Sequence, residues 1–335
     1  MSDEKEELSA LWICITKIFF AALGILGNVL VLIVLLQRHL QSTFNKLRCA
    51  LAIFDTLLIA TAHADSISMF SRGVYVIPYF LWPMANFSHT ASTFMTMVIA
   101  VERFVAVSDP QQYRKNQPFR TTKYVCFVTF PAILLNIPKW FELQPDSGKP
   151  KGIWFTNLYK NKVYIIYNTV ILNLFIKGLI PITVLICTYV KIYNKVKENH
   201  IVRVKSKRKP NVNANEHVIS IIVEDKRAKK QEKRARIFAG VVITSLVCNI
   251  PDMCVKITVL ASISTFEDTL DDPYSVWLSV RDLFIILNSV ANILIYTWLD
   301  TNFRKELRKI FKKAIRSCRP WWPAMELLEL LSHDS

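Results

Sequence analysis

Val101-Glu102-Arg103-Phe104-Val105-Ala106-Val107 closes a run, Met84 to Val101, that contains no Asp, Glu, Lys or Arg. A helix of that length crosses hydrocarbon. The acid and the arginine therefore fall side by side at the depth where the helix surfaces. A charge there is costly unless it is paired, snorkels to the headgroups or is used. Two readings fit. Glu102 and Arg103 form an ion pair that neutralises a helix end, or they form a switch in which Glu102 holds Arg103 in one state and releases it to a partner in another.

Working outward, the chain repeats this apolar pattern. Blocks long enough to span lie at residues 11–36, 47–70, 83–107, 124–141, 163–190, 237–262 and 274–299. Over the whole chain, 335 residues are 52% apolar with a net charge of +16. That length alone fits two soluble domains, but apolar residues gathered in long blocks argue for one membrane bundle. Pro131, Pro138, Pro181 and Pro251 lie inside blocks, which membrane helices tolerate because neighbours satisfy the freed backbone groups. The fold class expected is an all-α membrane protein, a seven-transmembrane helix bundle with a short amphipathic eighth helix.

The basic excess is not a nucleic-acid signature, because it sits in some loops and avoids others. Lys and Arg crowd the connections after the first, third and fifth blocks and the tail, and are sparse elsewhere. By the positive-inside rule the N-terminus is extracellular and Arg103 faces the cytoplasm. The start, Met1 to Glu7, is acidic and lacks the positive region of a cleavable signal peptide, so the first block is expected to remain as a helix.

This gives a short extracellular N-terminus over 1–10 and a seven-span bundle over 11–300. Residues 191–236 form a basic third inner loop with helix extensions. Residues 301–318 form a surface helix, and 319–335 a cytoplasmic tail. In 301–318, Phe303, Leu307, Ile310, Phe311 and Ile315 recur at helical spacing among Arg304, Lys305, Arg308, Lys309, Lys312 and Lys313. Such a helix lies flat on an anionic leaflet. Cys318 at its end is placed for S-acylation, or remains a free thiol.

No catalytic set emerges: there is no phosphate-cradling glycine loop, nucleophile elbow or HExxH, and the six histidines lack ligand spacing. An enzyme is not expected. Seven cysteines are scattered without metal or disulfide spacing. Asn86-Phe87-Ser88 fits the glycosylation triplet but lies inside the third block, where it is expected bare. No repeat relates the two halves, which weighs against transporter folds.

The residues resemble the rhodopsin-like G-protein-coupled receptors. The pieces are Gly27-Asn28-Val29 and Leu51-Ala52-Ile53-Phe54-Asp55, then Glu102-Arg103-Phe104 for the family's Asp/Glu-Arg-Tyr, Pro181 with Tyr189, Pro251, and Asn288-Ser289-Val290-Ala291-Asn292-Ile293-Leu294-Ile295-Tyr296 for Asn-Ser-x-x-Asn-Pro-x-x-Tyr. The resemblance covers about residues 27–318. Within the family, Asn136-Ile137-Pro138-Lys139-Trp140-Phe141-Glu142 and Cys248-Asn249-Ile250-Pro251 look like invertebrate receptors for FMRFamide-type neuropeptides.

The resemblance implies an extracellular peptide ligand, a heterotrimeric G protein and the lipid bilayer as partners, with a plasma-membrane location. Glu102, Arg103, Phe104, Tyr189, Tyr296 and Pro251 would form the coupling switch. Asp55, Ser92, Asn288, Ser289 and Asn292 would form a polar core, with or without the family's sodium ion; no other cofactor is expected. An Arg-Phe-amide ligand wants a carboxylate and an aromatic slot. Glu142, Asp282, Asp65 and Asp252 are the candidate acids, with Trp82 and Trp277 nearby by depth, while each acid can equally partner Lys139, Lys256 or Arg281. A small-molecule chemoreceptor on the same fold, or a polytopic transporter, are the rival classes.

Departures from the family pattern are specific. Ile293 replaces a proline, Asn249 a tryptophan, and Gln231 stands where an acid often restrains the arginine. Neither half of the usual extracellular disulfide is present.

Overall fold

The computed structural model describes residues 2–68, 76–108, 113, 120–145, 153–207, 235–258 and 272–318. Long helices dominate: α1 (Ser2–Leu35), α2 (Thr43–Ser68), α3 (Val76–Ser108) and α4 (Arg120–Asn136). The fifth rod, α5, begins as Lys162–Ile166, widens to π turns over Tyr167–Leu179, and continues as Ile180–Lys207. Then follow α6 (Ala235–Thr258), α7 (Asp272–Leu299) and α8 (Thr301–Cys318). The widening in α5 ends just before Pro181, which has no N–H to give the preceding turn; the Ile180 amide reaches back to the Phe175 carbonyl instead.

Between α4 and α5 the chain makes a small hairpin. Leu143–Pro145 pairs antiparallel with Ile153–Phe155, Leu143 opposite Phe155. Helix α1 reaches back to Ser2, so the expected N-terminal segment 1–10 is continuous with the first rod where it is described. Nothing described covers the tail 319–335 or the loop 208–234, which includes Gln231.

Among the described residues, six helices are long and apolar enough to cross a membrane: α1, α3, α4, α5, α6 and α7. In α2, Arg48 and Asp55 are both buried and face the interior of the bundle. Large apolar side chains such as Phe127, Phe130, Ile243, Val247 and Leu294 are exposed on the outside of the rods, as a hydrocarbon solvent requires.

Helix α3 is the hub, packing against α2, α4 and α5. Its Ala91, Phe94, Met95, Val98 and Ile99 join Leu47, Leu51 and Phe54 of α2 and Val128 and Ala132 of α4. A second cluster joins α1, α2, α6, α7 and α8 through Val34, Ile237, Val241, Tyr296 and Phe303. Gly27 of α1 lies against α7, and a Cβ there would sit 2.7 Å from Ile293 Cγ2. The residue that replaces the family's proline thus packs on a glycine.

Candidate functional site

At the C-terminal end of α3, Glu102 and Arg103 are both buried, 0% and 4% exposed. Arg103 Nε donates to Glu102 Oε2 at 2.8 Å, and Nη2 lies 2.6 Å from the same oxygen. The Tyr113 hydroxyl donates to the other oxygen, Oε1. Burial and the Glu102 charge push the Tyr113 phenol up to about 12. The guanidinium also covers the Phe44 ring, Cζ to centroid 3.7 Å. Glu102 therefore restrains Arg103 from within its own helix. Phe104 packs with Tyr189 in a cluster formed by Ala100, Leu185, Ile192, Phe238 and Val242, which joins α3, α5 and α6.

Deeper in the bundle, Asp55 is fully buried. Ser92 Oγ donates to Oδ1 at 2.5 Å and Asn292 Nδ2 to Oδ2 at 2.9 Å, which joins α2, α3 and α7. Ser289 Oγ lies beside the same carboxylate, buried but without a well-aligned hydrogen bond. Asn288 points elsewhere. It lines a neighbouring cavity with Thr93, Thr96, Lys177, Ser245 and Asn249, with about 20 Å³ open to the centre of a water molecule. That is room for a single water.

At the opposite end, Glu142 is 0% exposed and saturated. Trp82 Nε1 donates to Oε2 at 2.8 Å, while Lys139 Nζ and the Tyr164 hydroxyl each donate to Oε1 at 2.7 Å. This carboxylate ties α3, α4 and α5 together. Asp252 is buried in an ion pair with Lys256 one helical turn away. Asp282 takes two donors of Arg281, at 2.7 and 3.0 Å, and Lys17 at 3.4 Å. Each of these three acids is thus met by a base of its own. The side chains of Asp65, Trp277 and Cys318 lie outside the described residues.

Two buried cations were missed when the sequence was read. Arg48 of α2 is 1% exposed and lies over Tyr296. Lys177 of α5 is 5% exposed and donates to Asn136 Oδ1 at 2.9 Å; among the described residues no carboxylate bridges it. The signal was available: each is a charge inside an apolar block, which is by itself a pointer to function.

Buried ion pairs inside a bundle of long apolar helices fit one class, a multi-pass membrane protein. Residues 27–296 match the family model described as 7 transmembrane receptor (rhodopsin family), and the chain belongs to that family. It is 27% identical over 337 residues to the FMRFamide receptor of Drosophila melanogaster, covering 90% of this chain and 54% of that receptor. It is 22% identical to the FMRFamide peptide receptor frpr-18 of Caenorhabditis elegans, over 87% of this chain and 67% of that one. Somatostatin receptor type 5 of Bos taurus is 25% identical over 86% of this chain. The chain thus spans about half the length of the fly receptor.

Proposed function

We propose that this chain is a plasma-membrane receptor, with its N-terminus outside, that couples a short amidated neuropeptide to a heterotrimeric G protein. The observation that carries the reading is Arg103, buried at the end of α3 and held, among the described residues, by its neighbour Glu102 and by Phe44. A guanidinium taken out of water is kept where a second state uses it.

Ligand binding near the Glu142 end favours an arrangement in which the other end of α6 swings out about Pro251. Arg103 then leaves Glu102 for the C-terminal helix of the G-protein α subunit, and Tyr189 and Tyr296 turn inward behind it. The charge distribution of the loops supports a cytoplasmic position for this cleft. The peptide class is carried over from the FMRFamide receptors to which the chain is similar.

The polar core fits a hard cation. Asp55, Ser92 and Ser289 offer oxygens, and the Ser289 hydroxyl is buried without a partner. These residues would hold a sodium ion, which supplies the positive charge that the buried carboxylate lacks.

Arg103→Ala tests the reading. The variant is expected to bind peptide as the wild type does and to lose nucleotide exchange on the G protein. Unimpaired exchange at equal surface expression refutes the role.

A further inference from the structure

The end of the bundle that carries Arg103 contains the second arginine, Arg48, and it is bound differently. Its guanidinium lies over the Tyr296 ring, Cζ 3.6 Å from the centroid. Nη1 donates to Asp300 Oδ2 at 3.1 Å and to Asn45 Oδ1 at 3.3 Å. Asp300 in turn caps α8, because its Oδ1 accepts from the backbone amides of Asn302 at 3.1 Å and Phe303 at 3.3 Å. One side chain of α2 therefore fixes the last turn of α7 and, through Asp300, the root of α8. Phe44 joins this arginine to the other: Cζ of Arg48 lies 5.3 Å from its centroid and Cζ of Arg103 3.7 Å.

The clasp is incomplete. Nε and Nη2 of Arg48 are buried with no hydrogen-bond partner among the described residues. Unmet donors of a charged group handicap the arrangement that contains them. A contact made only for stability would satisfy them, or would be replaced by an apolar side chain packed on Leu51 and Phe44. What survives is a restraint, strong enough to hold and handicapped enough to release. Its target also fits. Tyr296 packs against Phe303 at 6.2 Å between centroids and, with Ile237 and Val241 of α6, fills one apolar cluster. Tyr296 cannot swing its ring while a guanidinium covers its face.

We propose that Arg48 is a positioning residue of the coupling switch: by covering Tyr296 and holding Asp300 it keeps α7 and α8 in the resting arrangement and sets the ligand-free activity of the receptor. The proposal rests on the G-protein reading above, and it concerns a position that the family resemblance does not touch. The restraint runs from α2 to α7, which matters in a chain whose α6 approach carries Gln231 where an acid often restrains the arginine.

The test uses the full chain in lipid nanodiscs without ligand. Basal loading of a GTP analogue is measured on each major class of purified heterotrimer in turn, and deuterium uptake is followed in peptides covering 293–303. Arg48→Leu is expected to raise basal loading per folded receptor about tenfold, the factor corresponding to one charge-assisted hydrogen bond, and to speed uptake in 293–303. Arg48→Lys keeps an ammonium for Asp300 but loses the planar stack, and should fall between. The double variant Arg48→Leu, Tyr296→Ala should lose the gain, because the ring that was freed is gone.

A merely structural arginine gives the opposite pattern: fewer folded receptors and unchanged loading per folded receptor, which overturns the proposal. Faster uptake with unchanged loading, on a heterotrimer that the wild type activates, overturns it too. If neither the wild type nor Arg48→Leu loads any heterotrimer, the G-protein reading fails; deuterium uptake then decides alone, and unchanged uptake in Arg48→Leu removes the clasp itself.

Discussion

Replacing Glu142 by glutamine changes one atom and removes one charge, at a carboxylate that three donors share. The amide has only one oxygen. If its nitrogen takes the place of Oε2 it faces the Trp82 N–H, donor against donor. If it takes the place of Oε1 it faces both the Lys139 ammonium and the Tyr164 hydroxyl. The first orientation is cheaper, yet it still leaves the Trp82 N–H unmet, at about 1–3 kcal/mol.

The charge is the larger effect. Lys139 is 4% exposed, and its ion-pair partner among the described residues is Glu142. Breaking a buried pair from one side costs roughly 3–5 kcal/mol. At about 2–4 °C per kcal/mol for a chain somewhat smaller than this one, the thermal midpoint should fall by on the order of 5–10 °C. Tryptophan fluorescence of the purified protein in nanodiscs, at fixed scan rate, measures it. The double variant Lys139→Met, Glu142→Leu should recover most of the loss, since no buried charge remains unpaired. A midpoint within ~1 °C of wild type for Glu142→Gln would refute the reasoning. If that variant also lost peptide response, Glu142 would be a ligand contact and not a tie between helices.

Two further substitutions follow from the packing. Lys177→Met should raise the midpoint, because desolvating an ammonium without a carboxylate outweighs the hydrogen bond to Asn136, by about 1–2 kcal/mol net; a fall in the midpoint would show that the charge is compensated. Gly27→Ala should destabilise by about 1–3 kcal/mol, since its Cβ meets the stiff branch point of Ile293 at 3.1 Å as well as Cγ2. Ile293→Ala in the same chain should restore the midpoint, and no rescue would place the strain elsewhere. Gly24→Ala should cost less: its Cβ meets Ile59 Cδ1 at 2.6 Å, the free end of a side chain that can turn aside, and Val290 Cγ2 only at 3.2 Å.

The family motifs run from Gly27 to Tyr296 and the family model matches 27–296, while the resemblance extends the likeness to about 318. Motifs carried the family, and hydropathy was sufficient for the rods because burial in lipid is a property each residue contributes on its own and that sums along a block. The same summation cannot say what Arg48 and Asp55 of α2 meet, although that helix packs at the heart of the bundle. The candidate site divides in the same way. Glu102 beside Arg103 is an adjacent pair, so its chemistry could be read from the order of residues alone.

What the order of residues determined about this protein is therefore its class: the apolar rods, the position of the arginine at the end of one of them, and the amphipathic helix that follows the last. Tertiary structure alone decided which charges answer which. Asn292 meets Asp55 across 237 positions of sequence, and Arg48 meets Asp300 across 252. It also brought Trp82 and Tyr164 to Glu142 and left Lys177 without a carboxylate among the described residues. The physical reason is that charge compensation in a low-dielectric interior acts between neighbours in space, over a few ångströms. Helices bring such neighbours together only when they pack.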